Sequence, residues 1–210
     1  MATMENRTMI IVSSFVLALF LIATINRNYT WSSEKLLWQD VVDKSPSLAS
    51  GHLNLARDYH RSGNREVALR EYQKAMDLSA GYLNVNHNDF RNRDILVTAQ
   101  TDVGLMMMQY QDDADAEASL NGALRIMPHY GPADLLLSQL YNEHRRYMEA
   151  IALLDGAIVA QNWGPSFHGR SQIYFNRAVA FCGIGNKQAA NENFNYAAMT
   201  DRTIDQVECH

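Results

Sequence analysis

Histidine, cysteine and acidic side chains are the residues of this sequence that could bind a metal ion or carry out acid–base or nucleophilic chemistry. The seven histidines are dispersed, and no two lie four residues apart, the spacing that places two ligands on one helix face. Cys182 and Cys209 lack the spacing of a metal-binding or catalytic pair. The sequence therefore predicts no metal ion, no cofactor and no catalytic residue.

A short acidic run could be mistaken for a calcium loop. Its members are Asp112, Asp113, Asp115 and Glu117, and it lacks the glycine and the twelfth-position glutamate that such a loop requires. Carboxylates are also favoured in the first turn of a helix, so we interpret the run as a helix start. Phosphate loops, dinucleotide fingerprints and Gly-x-Ser-x-Gly turns are absent from the sequence. We therefore expect a protein that is not an enzyme.

The two cysteines leave two alternatives open. They could form one disulfide in an oxidising compartment. We favour the other interpretation, in which Cys182 packs as a small hydrophobic residue within a helix.

Charge gives no sign of a nucleic-acid partner. The chain has 18 basic and 23 acidic residues, a net charge of −5. Basic residues such as Arg57, Arg61 and Arg65 alternate with Asp58 and Glu66, which is typical of a solvated face. No nucleic acid is expected to bind.

A pattern of small and large residues recurs in four segments of 34 residues each, and the step from the second segment to the third is 34 residues. Counting starts at Ala49, Val97, Gly131 and Ser171, and positions 8, 20 and 27 are small in every segment. An ordinary helical bundle has small residues at helix contacts, but it has no reason to keep this phase. The step therefore indicates a repeat array. The small residues are Ala56, Ala68, Ala75, Gly104, Ala116, Ala123, Ser138, Ala150, Ala157, Ala178, Ala190 and Ala197.

This pattern, with Gly63 and Gly185 at the same turn position, resembles the tetratricopeptide repeat (TPR). Each copy of that repeat folds into two antiparallel helices, which small residues allow to approach closely. The resemblance implies an all-α, right-handed superhelical TPR solenoid of four helix pairs. Two inserts interrupt it, the first predicted as an exposed loop that could extend the next helix, the second as a longer turn. The repeats are 49–82, 97–130, 131–164 and 171–204, the inserts are 83–96 and 165–170, and a tail covers 205–210.

An apolar segment precedes the repeats. Residues 8–25 are eighteen uncharged residues after a tail of residues 1–7. At about 1.5 Å per residue, a helix of this length just spans a bilayer core of roughly 30 Å. A cleavable signal peptide is the alternative, but no small-x-small cleavage site follows the segment. We favour an uncleaved transmembrane helix that contacts the lipid bilayer.

The orientation of this helix rests on opposing signals. Arg27, Lys35 and Lys44 follow the segment, and the positive-inside rule would place them in the cytoplasm. An apolar segment behind such a short tail, however, usually acts as a signal anchor that delivers the rest of the chain across the membrane. We expect a single-pass membrane protein with an extracytoplasmic repeat domain, on the periplasmic side if the source is bacterial.

Residues 26–48 connect this helix to the repeats. They contain an amphipathic helix with Leu37, Trp38 and Val41 on one face. The run from Arg27 through Trp38 to the first repeat resembles the junction of transmembrane-and-TPR proteins of the mannosyltransferase-like class. That resemblance implies the order membrane helix, amphipathic helix, repeats. The catalytic loop of that class has no counterpart in this sequence, so no catalytic residue is assigned from it.

The TPR resemblance also implies a concave groove lined by the first helix of each pair. A protein or peptide is the expected partner, because such grooves bind extended or helical segments. The Lys, Asn and Arg residues with which some members hold a terminal carboxylate are missing at the corresponding positions. The predicted groove residues are Leu53, Arg57, His60, Arg61, Thr101, Leu105, Met108, Gln139, Asn142, Phe175 and Val179.

These observations predict a membrane-anchored scaffold that mediates protein–protein interaction or complex assembly. Two alternatives remain: a non-catalytic accessory component of a membrane glycosyltransferase system, and an integral subunit of a larger envelope complex. The last repeat has no obvious polar capping helix after Thr200, so the C-terminal repeat is a candidate oligomer contact.

Overall fold

The computed structural model of the protein describes residues 4–160, 169–201 and 209, and the regular elements within these ranges are all α-helices. The predicted all-α class is therefore confirmed. In chain order the helices are α1 (Met4–Thr30), α2 (Glu34–Lys44), α3 (Ala49–Arg61), α4 (Arg65–Val85), α5 (Phe90–Gln109), α6 (Asp113–Ile126), α7 (Gly131–Glu143), α8 (Tyr147–Ala160), α9 (Arg170–Gly183) and α10 (Lys187–Thr200).

The chain divides into two compact units, Met1–Glu71 and Tyr72–His210, with the boundary inside α4. In the second unit α5 pairs with α6, α7 with α8, and α9 with α10. Each pair packs on the next, through contacts of α6 with α7 and of α8 with α9, and α7 also contacts α5 and α9. This is the arrangement of stacked helix pairs that the TPR pattern predicts. We call α5, α7 and α9 the first helices of their pairs.

Burial of the small residues explains why the helices can pair so closely. The alanines and the serine at positions 8, 20 and 27 of the four repeats all have no exposed surface. Gly104 is buried as well, and a Cβ atom added there would lie 2.6 Å from Cγ of Leu120. Larger side chains at these positions would force the helices apart, so the predicted role of the small residues is confirmed.

The turn between the two helices of a repeat has the same backbone conformation in all four copies. Its central residue has a positive φ: 75° at Gly63, 61° at Gln111, 58° at Arg145 and 78° at Gly185. The N–H of each residue bonds to a carbonyl three residues earlier, and the next N–H bonds to a carbonyl five residues earlier. These are the two hydrogen bonds of a Schellman motif, which ends a helix with one left-handed residue.

The first insert, residues 83–96, was predicted as an exposed loop that could extend the next helix, and the extension agrees with the structure. Helix α4 runs to Val85 and α5 begins at Phe90, so only 86–89 lie between the helices. The start of α5 is fixed by Asp89, whose carboxylate accepts a hydrogen bond from the backbone N–H of Asn92 at 3.1 Å. Most of the second insert, residues 165–168, lies outside the described residues.

Helix α1 contains the apolar segment. Its stretch Met9–Thr30 is long and apolar enough to cross a membrane, with a mean hydropathy of 2.4 over its most apolar eighteen residues, none of them buried. A signal sequence near the start of a chain would meet the same criteria of length and composition.

Within the first unit, α2 packs on α3. A Cβ atom added to Gly51 would lie 3.1 Å from Cγ1 of Val41, so the absence of a side chain at Gly51 makes room for α2. The turn between the two helices is held by His52, which is buried. Its Nε2 lies 2.9 Å from the carbonyl oxygen of Pro46, and its Nδ1 lies 2.6 Å from Oε2 of Glu71.

Candidate protein-binding face

In the first unit, the predicted groove residues are mostly occupied by contacts within the protein. Leu53 is buried, so it offers no surface to a partner. Arg61 is exposed and forms an ion pair with Glu34 of α2. Arg57 and His60 are half-buried and also have interaction partners. The basic groove residues Arg57 and Arg61 are therefore not unpaired charges.

Helix α2 covers part of the same surface of α3. The Lys35 ammonium lies over the Tyr59 ring, 4.6 Å from its centre, next to the Glu34–Arg61 pair. Cation–π and exposed ion-pair contacts each stabilise by roughly 1 kcal/mol or less, so these contacts mainly orient α2.

In the second unit, six predicted groove residues are half-buried on three neighbouring first helices. Thr101 is the exception, because it is buried and its hydroxyl donates to the Val97 carbonyl at 2.8 Å. The face residues on α5 and α9 are apolar and those on α7 are amides, so none of the six is charged. We call this set the binding face: Leu105 and Met108 on α5, Gln139 and Asn142 on α7, and Phe175 and Val179 on α9.

Hydrogen bonds between α7 and α9 fix the centre of the binding face. The Asn142 side-chain N–H group donates to the backbone carbonyl of Asn176 at 2.9 Å. In return, the buried Asn176 side chain donates to the Ser138 hydroxyl at 3.1 Å. This reciprocal pair satisfies the side-chain N–H groups of both amides and fixes the relative position of the two helices, while Oδ1 of Asn142 is buried without a hydrogen-bond partner. The face is therefore preorganised.

Arg177 explains how the fourth repeat tolerates a charge where the other three have Leu or Val. Its guanidinium forms an ion pair with Asp155 of α8 and donates to Oδ1 of Asn193 of α10 at 3.0 Å. It also lies over the Phe181 ring, 5.0 Å from its centre. One side chain thus connects three helices through polar contacts where the other repeats use apolar packing.

The cysteines correct our expectation that Cys182 packs without bridging. Cys182 and Cys209 form a disulfide, with their Cα atoms 5.5 Å apart. Both pack against a buried cluster of Ala178, Ala190 and Phe194. A spacing rule could not reveal this bridge, because its two cysteines lie 27 residues apart in the sequence. Val179 and Phe175 pack against the same cluster, so this end of the binding face is partly covered by the protein itself.

The acidic run lies at the start of α6, as we predicted. Asp112 precedes α6 as its N-cap, and Oδ2 of Asp113 lies 2.8 Å from Nε2 of His144. Glu117 receives two hydrogen bonds from Arg146, at 2.6 and 3.0 Å, which hold the pKa of Glu117 below its usual value. Among the described residues, no group of three acidic, histidine or cysteine side chains is placed to hold a metal ion.

Asp134 is a notable residue that sequence reasoning missed. It lies in the first turn of α7 with no exposed surface, and neither carboxylate oxygen has a hydrogen-bond partner. Oδ2 lies 3.8 Å from Nδ1 of His129, whose ring fills the space left by Gly156. Burial raises the pKa of Asp134 to about 7. A polar residue in a helix start carries no signal of such burial in the sequence.

No protein-family model matches the chain, and no curated protein matches it. Solved structures give similarities at low identity. A mutant of MamA is 16% identical over 73% of this chain and 78% of its own, with a TM-score of 0.47. YrrB, described as a TPR protein with an unusual peptide-binding site, is 16% identical over 79% of this chain and 92% of its own, with a TM-score of 0.44. TTC0263, a TPR protein of Thermus thermophilus, is 15% identical over 88% of this chain and 90% of its own, with a TM-score of 0.48.

Proposed function

We propose that the chain is a membrane-anchored scaffold that binds a protein or peptide segment on the binding face. The observation that carries this proposal is the face itself, in which uncharged apolar and amide side chains lie half-buried on three neighbouring helices. Apolar side chains such as Leu105 and Met108 can receive those of a peptide, and the amide of Gln139 can bond to its backbone. The expected partner segment is therefore extended or helical and largely uncharged.

The disulfide supports one side of the membrane over the other. Disulfides persist in oxidising compartments and are rare where thiols are kept reduced. The bridge between Cys182 and Cys209 therefore favours an extracytoplasmic position for the repeats. It outweighs the three basic residues after the apolar segment, because the positive-inside rule is a bias while a reducing compartment would open the bridge.

Exposure of apolar side chains along α1 supports the anchor. Phe15 and Phe20 are 65% and 67% exposed, and their neighbours on α1 are similarly uncovered. Water is an unfavourable environment for a contiguous apolar surface of this kind, and lipid acyl chains are a favourable one. We therefore propose that α1 stays attached to the chain and contacts the bilayer.

Site-specific photo-cross-linking of the full chain in its native membrane tests the proposed binding. A photoreactive residue replaces Gln139 at the centre of the binding face. The matched control carries the same residue at Ala152, which is exposed on α8, the second helix of that pair. We expect a discrete adduct from position 139 and none of the same mass from position 152.

Two results would count against this function. Identical adducts from both positions would show contact that does not depend on the binding face. A complete lack of adducts from position 139, together with none from a second probe at Met108, would show that the face has no partner.

Two further candidate functions are supported, one by the sequence and one by exposed side chains of α10. The order α1, α2, α3 agrees with the order implied by the mannosyltransferase-like junction, so an accessory role in a glycosyltransferase system is one alternative. Tyr196 and Met199 of α10 are 46% and 84% exposed, which supports an oligomer or envelope-complex contact through the last repeat.

A further inference from the structure

The turn between α1 and α2 carries exposed aromatic side chains directly after the apolar segment. Tyr29 and Trp31 are 67% and 64% exposed. The Arg27 guanidinium lies over the Trp31 ring, 5.2 Å from its centre. Tyrosine and tryptophan are enriched where a membrane meets water, and a long basic side chain can keep its charge at the headgroups while its stem contacts acyl chains. The three side chains therefore have the chemistry of a lipid interface.

Their position along α1 agrees with that chemistry. Tyr29 follows Ile25, the last residue of the uncharged segment, by one helical turn. At 1.5 Å per residue this places Tyr29 about 6 Å beyond the segment, within a headgroup layer of roughly 5–8 Å on each side of the bilayer.

The turn itself is closed by hydrogen bonds. The Trp31 N–H bonds to the Arg27 carbonyl at 3.1 Å, and the Ser32 N–H and hydroxyl both donate to the Tyr29 carbonyl, at 3.0 and 2.7 Å. The Ser33 hydroxyl then accepts from the Leu36 N–H at 3.2 Å and begins α2. The connection from α1 to α2 is thus an ordered turn, and α2 packs on α3.

We propose that Arg27, Tyr29 and Trp31 bind the phospholipid headgroup region and fix the depth of α1 in the bilayer. The ordered turn then places the start of α2 at the membrane surface, so the first repeat begins there too. This inference rests on the proposed anchoring of the chain by α1.

Depth-dependent fluorescence quenching tests the proposal. The chain has three tryptophans, and the substitutions Trp38→Phe and Trp163→Phe leave Trp31 alone. The full chain is reconstituted in phosphatidylcholine vesicles whose acyl chains carry bromine either near the headgroup or near the bilayer centre. We expect the Trp31 fluorescence to be largely lost with shallow bromine and less affected by deep bromine.

A matched control places the only tryptophan inside the apolar segment. Phe20→Trp, combined with the replacement of all three native tryptophans by Phe, should show stronger quenching by deep bromine. The proposed headgroup contact is wrong if this control is quenched but Trp31 is not, or if Trp31 is quenched most by deep bromine. Either result would still agree with anchoring of the chain by α1. If neither is quenched and the chain does not float with the vesicles, the membrane anchor itself is wrong.

Discussion

Individual side chains in this protein show how polar residues are used inside a helical array. Arg177 forms an ion pair with Asp155 at a position that is apolar in the other repeats, so its charge is compensated. Asp134 is different, because it is fully buried and its oxygens have no hydrogen-bond partner. An uncompensated buried carboxyl makes the stability of the fold depend on pH, since the folded state binds its proton more tightly than the unfolded state does.

The pKa of Asp134 determines whether the stability of the fold rises or falls with pH. The folded value is about 7, against about 3.9 for an unfolded aspartate. Stability therefore falls as the pH rises from about 4 to about 7, because the unfolded state releases the proton first. We expect Asp134→Asn to stabilise the protein near pH 8 by up to about 4 kcal/mol, reduced by the cost of a buried amide without partners, and to have little benefit near pH 4.

Urea unfolding of the unsubstituted protein and of Asp134→Asn, each in detergent near pH 4 and near pH 8, measures this effect. Asp115→Asn is the control, because Asp115 is exposed on α6 and its substitution should leave the pH dependence unchanged. An equal loss of stability from Asp134→Asn at both pH values would mean that the carboxylate makes favourable contacts and that its burial does not control its proton.

At the scale of single elements, the repeated Schellman motif is the clearest example of a structure that its sequence only partly reveals. Gly63 and Gly185 marked the turn in two repeats, because glycine adopts positive φ without strain. Gln111 and Arg145 have the same conformation at the same position, although neither residue prefers it. The period thus predicted the turn in those repeats while the residue type did not.

Glycine at these two positions should therefore stabilise the protein. A left-handed conformation costs a non-glycine residue roughly 1–2 kcal/mol. Part of that gain is lost because glycine has more freedom in the unfolded chain. We expect Gln111→Gly and Arg145→Gly each to raise the free energy of unfolding by about 1 kcal/mol, measured in urea. Gly63→Ala should lower it by a similar amount, and a loss of stability from both glycine variants would contradict the role assigned to this position.

Other elements show where sequence reasoning succeeds and where it fails. The small residues were predictable because close approach of two helices demands them in a fixed phase, and their burial confirms it. The insert at 83–96 was predicted as an exposed loop that could extend the next helix, and the extension agrees with the structure, because α5 begins at Phe90 behind its cap Asp89. The bridge of Cys182 with Cys209 was missed because Cys209 lies outside the four repeats, so the repeat period carries no information on its position.

At the scale of the whole molecule, the chain combines an apolar helix with a repeat array whose first helices present an uncharged face. We propose that α1 anchors this array on the oxidising side of a membrane. The array would then meet its partners outside the cytoplasm, and the bridge would remain closed there. The two cysteines report on the side of the membrane where the repeats lie, because the sequence contains no others.

Labelling of the two cysteines in cells with an intact cytoplasmic membrane tests whether the repeats lie outside the cytoplasm. The reagent is a thiol-specific label that cannot cross that membrane, applied with and without a reductant that cannot cross it either. We predict labelling of Cys182 and Cys209 only after reduction. Labelling only by a membrane-permeant reagent, without any reductant, would place the repeats in the cytoplasm with free thiols. This result would contradict the extracytoplasmic position that we propose.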